Sequence, residues 1–193
     1  MARKKKREVR KDNELGSFYD ILSRYFAIFL VSLGNLWIFY FLFTPLTFYA
    51  SAYILGLFYE VSAINQFIFV KQAVIEISKA CVAGSAYYLL FMLDFSTRGI
   101  KLGKRLLVLI FTSFLLFALN IIRIIILALV KVNNIGFFDQ LHAIFWYFVS
   151  VIYVFIVWVI ASKVFKIEEV PFYSDFLYIK KLGGKKKVNS KKK

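Results

Sequence analysis

Residues 106–130 read LLVLIFTSFLLFALNIIRIIILALV. A run this long and this apolar is a transmembrane helix, because about 20 residues at 1.5 Å each cross a hydrocarbon core of about 30 Å. Its flanks orient it. The preceding segment 96–105, STRGIKLGKR, carries Arg98, Lys101, Lys104 and Arg105, whereas the following segment 131–140, KVNNIGFFDQ, carries one Lys and one Asp. Lys and Arg collect on the cytoplasmic side of short loops, so the spacing predicts residue 105 inside and residue 131 outside.

Three further apolar segments extend outward from this one. Residues 141–162 (LHAIFWYFVSVIYVFIVWVIAS) predict a last span, with Trp146 and Trp158 toward opposite ends as interfacial aromatics are placed. Residues 77–95 predict a shorter span, and residues 25–43 (YFAIFLVSLGNLWIFYFLF) a first one, interrupted only by Asn35. The first run is longer than the apolar core of a signal peptide, about 7–15 residues, and the cleavage-like Ala50-Ser51-Ala52 lies too far downstream. The expectation is an uncleaved anchor. Residues 45–59 begin at Pro45 and contain Gly56, and are short for a span. With both basic ends inside, four spans satisfy the loop charges and five do not, so 45–80 is expected outside or on the outer surface. Within it, residues 66–77 show alternation and β-branched residues that suggest an extended stretch. The fold class is therefore all-α: a polytopic membrane helix bundle of about four spans plus an outer interfacial or re-entrant segment.

Composition agrees. The 193 residues are 61% hydrophobic and 20% aromatic, with a mean hydropathy of +0.70, above the roughly 45–50% apolar content of a soluble domain. The net charge of +15 invites a nucleic-acid reading, but its location argues otherwise. Residues 1–12 hold seven Lys/Arg and residues 180–193 hold eight, so the two ends account for fifteen of 26 basic residues. Basic tails flanking apolar spans are an inside-orientation signal, reinforced by anionic lipid; no nucleic-acid partner is expected. The chain divides into a basic cytoplasmic segment 1–23, a membrane-embedded core 24–166 and a basic cytoplasmic tail 167–193. The end of that tail, KKLGGKKKVNSKKK, is low-complexity and expected to be disordered. The expected location is the cell membrane.

Three residues sit in an unexpected solvent. Arg123 lies within the 106–130 span, where an ionisable group is costly and should face a cavity or a partner. It is about 25 Å from the inner end, near the outer surface, and Asn120 shares its helix face. His142, the one histidine, opens the last span at its outer end, three residues after Asp139. Cys81, the one cysteine, lies about one turn into the 77–95 span, again at the outer end. A single Cys forms no internal disulfide and falls far short of a zinc ligand set. Sidedness derived from loop charge alone thus brings Cys81, Arg123 and His142 to one membrane face, from three spans. A Cys nucleophile needs a base or a positive charge, a His can shuttle the proton, and an Arg can stabilise a thiolate or oxyanion. Asn120 is a candidate to orient Arg123. The surroundings Ala80-Cys81-Val82-Ala83-Gly84-Ser85-Ala86 are small apart from Val82, which leaves room for a substrate chain. Each residue also has an ordinary reading: Cys81 as small apolar packing, His142 as an interfacial polar tip, Arg123 as a snorkelling side chain.

At these residues the chain resembles the exosortase/archaeosortase family of membrane cysteine transpeptidases. The motifs are Cys81-Val82-Ala83-Gly84, Asn120-Ile121-Ile122-Arg123 and Asp139-Gln140-Leu141-His142, in the family's order, over roughly residues 45–162. Many members carry Gly two residues after the Cys; here Gly84 comes three after. The resemblance implies that Cys81 attacks a peptide bond in a secreted protein bearing a C-terminal motif, a transmembrane helix and a basic cluster. It implies a thioester, with His142 as acid and base and Arg123 as charge stabiliser, resolved by a membrane lipid or other envelope acceptor. The resemblance calls for no metal or organic cofactor. Two other readings remain: an intramembrane hydrolase or acyltransferase using the same Cys and His, and a non-enzymatic membrane subunit or small transporter binding an anionic group through Arg123. The absence of paired broken helices and inverted repeats weakens the transporter reading.

Overall fold

A computed structural model describes residues 2–34 and 36–180. The element order is α1 (Ala2–Leu33), α2 (Trp37–Gly56), β1 (Val61–Ile64), β2 (Phe67–Val70), β3 (Ala73–Glu76), α3 (Lys79–Val82), α4 (Gly84–Ser96), α5 (Leu102–Val132), α6 (Phe138–Ile144), a π-helical turn (Phe145–Val149) and α7 (Ser150–Val164). The protein is mostly helical. Three helices are long and apolar enough to cross a membrane: Trp37–Gly56, Leu102–Val132, and Phe138–Val164 taken through its π-helical turn. The tail segment expected to be disordered lies, beyond Lys180, outside the described residues.

The span at 106–130 sits inside α5, and that at 141–162 inside α6–α7. The other two differ from expectation. Residues 25–43 are not one helix: α1 ends at Leu33, Leu36 takes a left-handed φ of 59°, and α2 restarts at Trp37. Nor are residues 45–59 a separate surface piece, since Pro45 lies inside α2 and the helix runs on to Gly56. Proline removes one helical hydrogen bond, and apolar helices tolerate it when neighbours compensate; reading Pro45 as a start placed the boundary eight residues late. Residues 77–95 also divide, into α3 and α4 on either side of Ala83, which is left-handed at φ 59°.

The expected extended stretch is a three-stranded antiparallel meander, β1-β2-β3, which adds a small sheet to the helical fold. Both hairpins close through two-residue turns, Asn65-Gln66 and Lys71-Gln72, and Asn65 and Lys71 hold the positive φ that such turns need. Ile68 and Val70 of β2 are fully buried and Phe69 is exposed, so the sheet lays one face on the bundle.

Side-chain contacts fix the directions of the helices. Tyr88 donates to the Ile28 carbonyl, Phe39 stacks on Tyr87, and Phe43 stacks on Tyr87 and leans on Phe117. Arg24 of α1 reaches the Phe95 carbonyl and Phe39 of α2 meets Phe91, so both helices run antiparallel to α4. Arg105 bonds the Asp94 carbonyl and Asn120 that of Cys81, so α4 is antiparallel to α5, and α1 and α2 are parallel to α5. On the other side, Phe111 meets Phe165 and Arg123 meets Ser150, so α7 is antiparallel to α5. One end of the bundle gathers α1, the 96–105 segment and the 171–180 segment. There Arg24 pairs with Asp175 at 2.9 Å and donates to the Phe95 and Thr97 carbonyls, and Phe172 N–H donates to Ser96. The opposite end carries the sheet and Cys81. Large apolar side chains such as Phe41, Tyr53, Phe114 and Phe155 point outward from the helices; a surface this apolar suits lipid rather than water.

Candidate active site

The segment that carries Cys81 is built by a break. Ser78 is extended, α3 is a single turn, and Ala83 reverses to a left-handed conformation before α4 starts at Gly84. Gly84 is required by close approach: a Cβ there would lie 2.7 Å from the Tyr40 ring. The α4 N-terminus therefore rests directly on α2.

Helix α5 holds this segment from behind. Asn120 Nδ2 donates to the Cys81 carbonyl at 2.8 Å, and Arg123 Nη2 donates to the Ala80 carbonyl at 3.4 Å. Both side chains are 2% exposed. They stand one turn apart on the same face, so they clamp two consecutive carbonyls thirty-nine and forty-three residues earlier in the chain. Arg123 Nη1 donates to Ser150 Oγ at 3.1 Å, and Ser150 Oγ donates to the Phe145 carbonyl at 2.9 Å. That serine closes the π-helical turn, an irregularity that often re-aims side chains at functional sites. Arg123 Nε is buried with no partner among the described residues.

A cleft of about 290 Å³ opens beside this clamp, lined by Tyr40, Lys79, Ala80, Ala83, Gly84, Ser85, Ala86, Arg123, Trp146 and Ser150. Ala80, Ala83, Gly84, Ser85 and Ala86 make one wall of small residues, and Tyr40, Lys79, Arg123 and Trp146 supply the large side chains. Cys81 is half-buried and does not itself line this cleft, although its chain neighbour Ala80 does. Its sulfur turns toward Ser78 Oγ and the Glu76 carbonyl, each at 3.7 Å.

The three predicted motifs are thus brought together unequally. Asn120 bonds the Cys81 backbone carbonyl, Arg123 bonds that of its neighbour Ala80, and Gly84 lines the cleft. His142 is half-buried on α6, stacked on Phe138 and edge-on to Trp146, and its imidazole makes no hydrogen bond among the described residues. Trp146 touches His142 and lines the cleft, so the imidazole stands one side chain away from it. Asp139 is exposed and makes no ion pair with His142 among the described residues. Among those residues no three His, Cys, Asp or Glu side chains group as metal ligands.

Sequence reasoning missed Ser150, Ser78, Tyr40, Lys79 and Trp146 as members of the site. Ser150 carried a signal, a hydroxyl in the middle of an apolar span. Tyr40 carried none, because only the tertiary contact with Gly84 brings it near. Comparison with protein-family models, with curated proteins and with solved structures returns no match to this chain.

Proposed function

We propose that this protein is a membrane cysteine transpeptidase of exosortase/archaeosortase type. It would cleave the C-terminal sorting signal of secreted proteins and pass them to an envelope or lipid acceptor. The single observation that carries the reading is the clamp from α5. Two short motifs far apart in sequence, one with the candidate nucleophile and one with the Asn-x-x-Arg pair, meet through two hydrogen bonds.

In this reading the Cys81 thiolate attacks the carbonyl carbon of the scissile bond, and Arg123 offsets the negative charge that develops. His142 gives a proton to the leaving amine, and the peptide remains on sulfur as a thioester. An acceptor hydroxyl or amine then surrenders its proton to His142, attacks the thioester and releases the thiolate. The Trp146 ring between His142 and the cleft is the part that must yield for the imidazole to reach the substrate.

The membrane arrangement that suits this chemistry has four crossings. The α1–α2 pair acts as one broken crossing, followed by α4, α5 and α6–α7. Helix α4 alone is about 20 Å long, and α3 with the bend at Ala83 completes its passage. The end with Arg24 and the basic 96–105 segment faces the cytoplasm with both termini, and the Cys81 end faces outward.

The left-handed Ala83 bears on the family's pattern. The family's glycine falls two residues after the cysteine, which is position 83 here, and its φ of 59° is one that glycine takes freely. The departure in sequence leaves the backbone shape that a glycine would provide.

The non-enzymatic reading draws on Arg123, whose unpartnered Nε and neighbouring Lys79 suit an anionic group. Co-expression with a tail-bearing substrate separates the two. Transpeptidation requires that Cys81→Ala, Arg123→Ala and His142→Ala each abolish processing. A binding protein would tolerate Cys81→Ala and lose function with Arg123→Ala.

A further inference from the structure

The strand that leads into Cys81 has an open edge. In the meander order β1-β2-β3, strand β3 is paired on one side only. Val70 and Ala73 flank a two-residue turn and so form the hydrogen-bonded pair nearest it. Bonded and non-bonded pairs alternate along an antiparallel ladder, which makes Ile68–Ile75 the next bonded pair. The bond from Ile77 N–H to the Gln66 carbonyl at 2.9 Å continues the series. Ala73, Ile75 and Ile77 therefore face β2, while Val74 and Glu76 direct their N–H and C=O groups away from it.

Val74 and Glu76 are both exposed, and among the described residues no backbone group bonds to either outside the sheet. What does reach this edge is the thiol: Cys81 Sγ lies 3.7 Å from the Glu76 carbonyl. The thiol therefore sits against the last carbonyl of this edge, which an incoming strand would take over from it. Beyond Cys81 in the chain, Ala83, Gly84 and Ser85 line the cleft together with Arg123, whose buried Nε has no partner among the described residues.

We infer that the free edge of β3 is the docking rail for the substrate: an extended stretch of peptide main chain adds as a fourth strand beside Val74 and Glu76, which carries its scissile carbonyl past Cys81. This rests on the transpeptidase reading and supplies what it lacks, a means of holding a flexible peptide over the thiol. Strand addition takes its affinity from main-chain hydrogen bonds, and it leaves alternate side chains to set specificity. An unpaired edge that is exposed and not blunted by proline is suited to such pairing.

The test uses the full-length protein in lipid nanodiscs and needs no natural substrate. The probe is acetyl-(Ala)4-chloromethyl ketone, which alkylates a thiol with loss of chloride; iodoacetamide serves as a reagent with no strand to pair. Two analogues carry N-methyl groups at the odd or the even alanines. Labelling of Cys81 by the unmethylated probe, relative to iodoacetamide, is expected to fall roughly tenfold or more in one analogue and little in the other, as alternation of two main-chain hydrogen bonds requires. Val74→Pro removes an N–H from the free edge, leaves the ladder to β2 intact, and should erase that difference while iodoacetamide labelling stays within about twofold. Should Val74→Pro fail to fold, hydrogen exchange in the wild type answers instead: acetyl-(Ala)4-amide should slow exchange at Val74 and Glu76. Equal labelling by both analogues, or unchanged exchange at those amides, overturns the docking rail and leaves the thiol mechanism standing. Substrate processing that survives Cys81→Ala removes the mechanism whatever the edge does.

Discussion

Replacing Gly84 by Ala tests how the segment that carries Cys81 is seated. The added Cβ would meet Tyr40 Cε1 and Cζ at 2.7 Å and Oη at 3.1 Å. Ordinary carbon contact begins near 3.5 Å, so the ring or the helix must yield by roughly 0.8 Å. Tyr40 is not free to swing, since it packs on the buried core and carries the Lys79 ammonium 5.7 Å from its ring centroid. Overpacking of this kind costs about 1–3 kcal/mol. Against it stands the helix preference of Ala over Gly, about 1 kcal/mol and smaller at a first helical position. The net expectation is a loss of about 1–2 kcal/mol. Tyr40→Ala removes the obstacle, so in that background Gly84→Ala should be neutral or slightly stabilising. The assay is a double-mutant cycle on four proteins, by denaturant or thermal unfolding in one fixed detergent, with a coupling energy of at least 1 kcal/mol expected. Equal effects of Gly84→Ala with and without Tyr40 would refute the contact, and with it the argument that α2 sets the height of the Cys81 segment.

Ala83→Gly should stabilise the protein by about 1 kcal/mol, read as a raised unfolding midpoint, because the left-handed conformation at φ 59° penalises a Cβ. Arg123→Lys keeps the charge but cannot span both Ala80 and Ser150, so substrate processing should fall roughly a hundredfold with little loss of folded protein. Asp175→Asn breaks the buried pair with Arg24 and leaves a buried cation less well compensated, which predicts a loss of up to about 3 kcal/mol and faster protease cleavage of the 171–180 segment.

The long apolar runs were legible because hydropathy at that length has few alternative explanations, and α5 and α6–α7 follow it closely. The breaks were not legible. Leu36 and Ala83 take left-handed conformations that nothing in their residue type announces. Pro45 misled in the opposite direction, because a residue that usually ends helices is carried inside α2. At the site, the charge of Arg123 within an apolar run and its spacing from Asn120 were enough to single out the pair. Their targets, the backbone carbonyls of Ala80 and Cys81, carry no sequence signature at all. His142 shows the limit of motif order as a guide: its neighbours are Phe138 and Trp146, set by its own helical turn rather than by the cysteine.

Intact-mass and peptide-level mass spectrometry of the protein isolated with a tail-bearing substrate reads the central claim directly. The account predicts a substrate fragment attached to Cys81 through a bond that neutral hydroxylamine cleaves, absent from Cys81→Ala and from His142→Ala. Cleaved substrate accumulating in cells whose protein carries Cys81→Ala would contradict it.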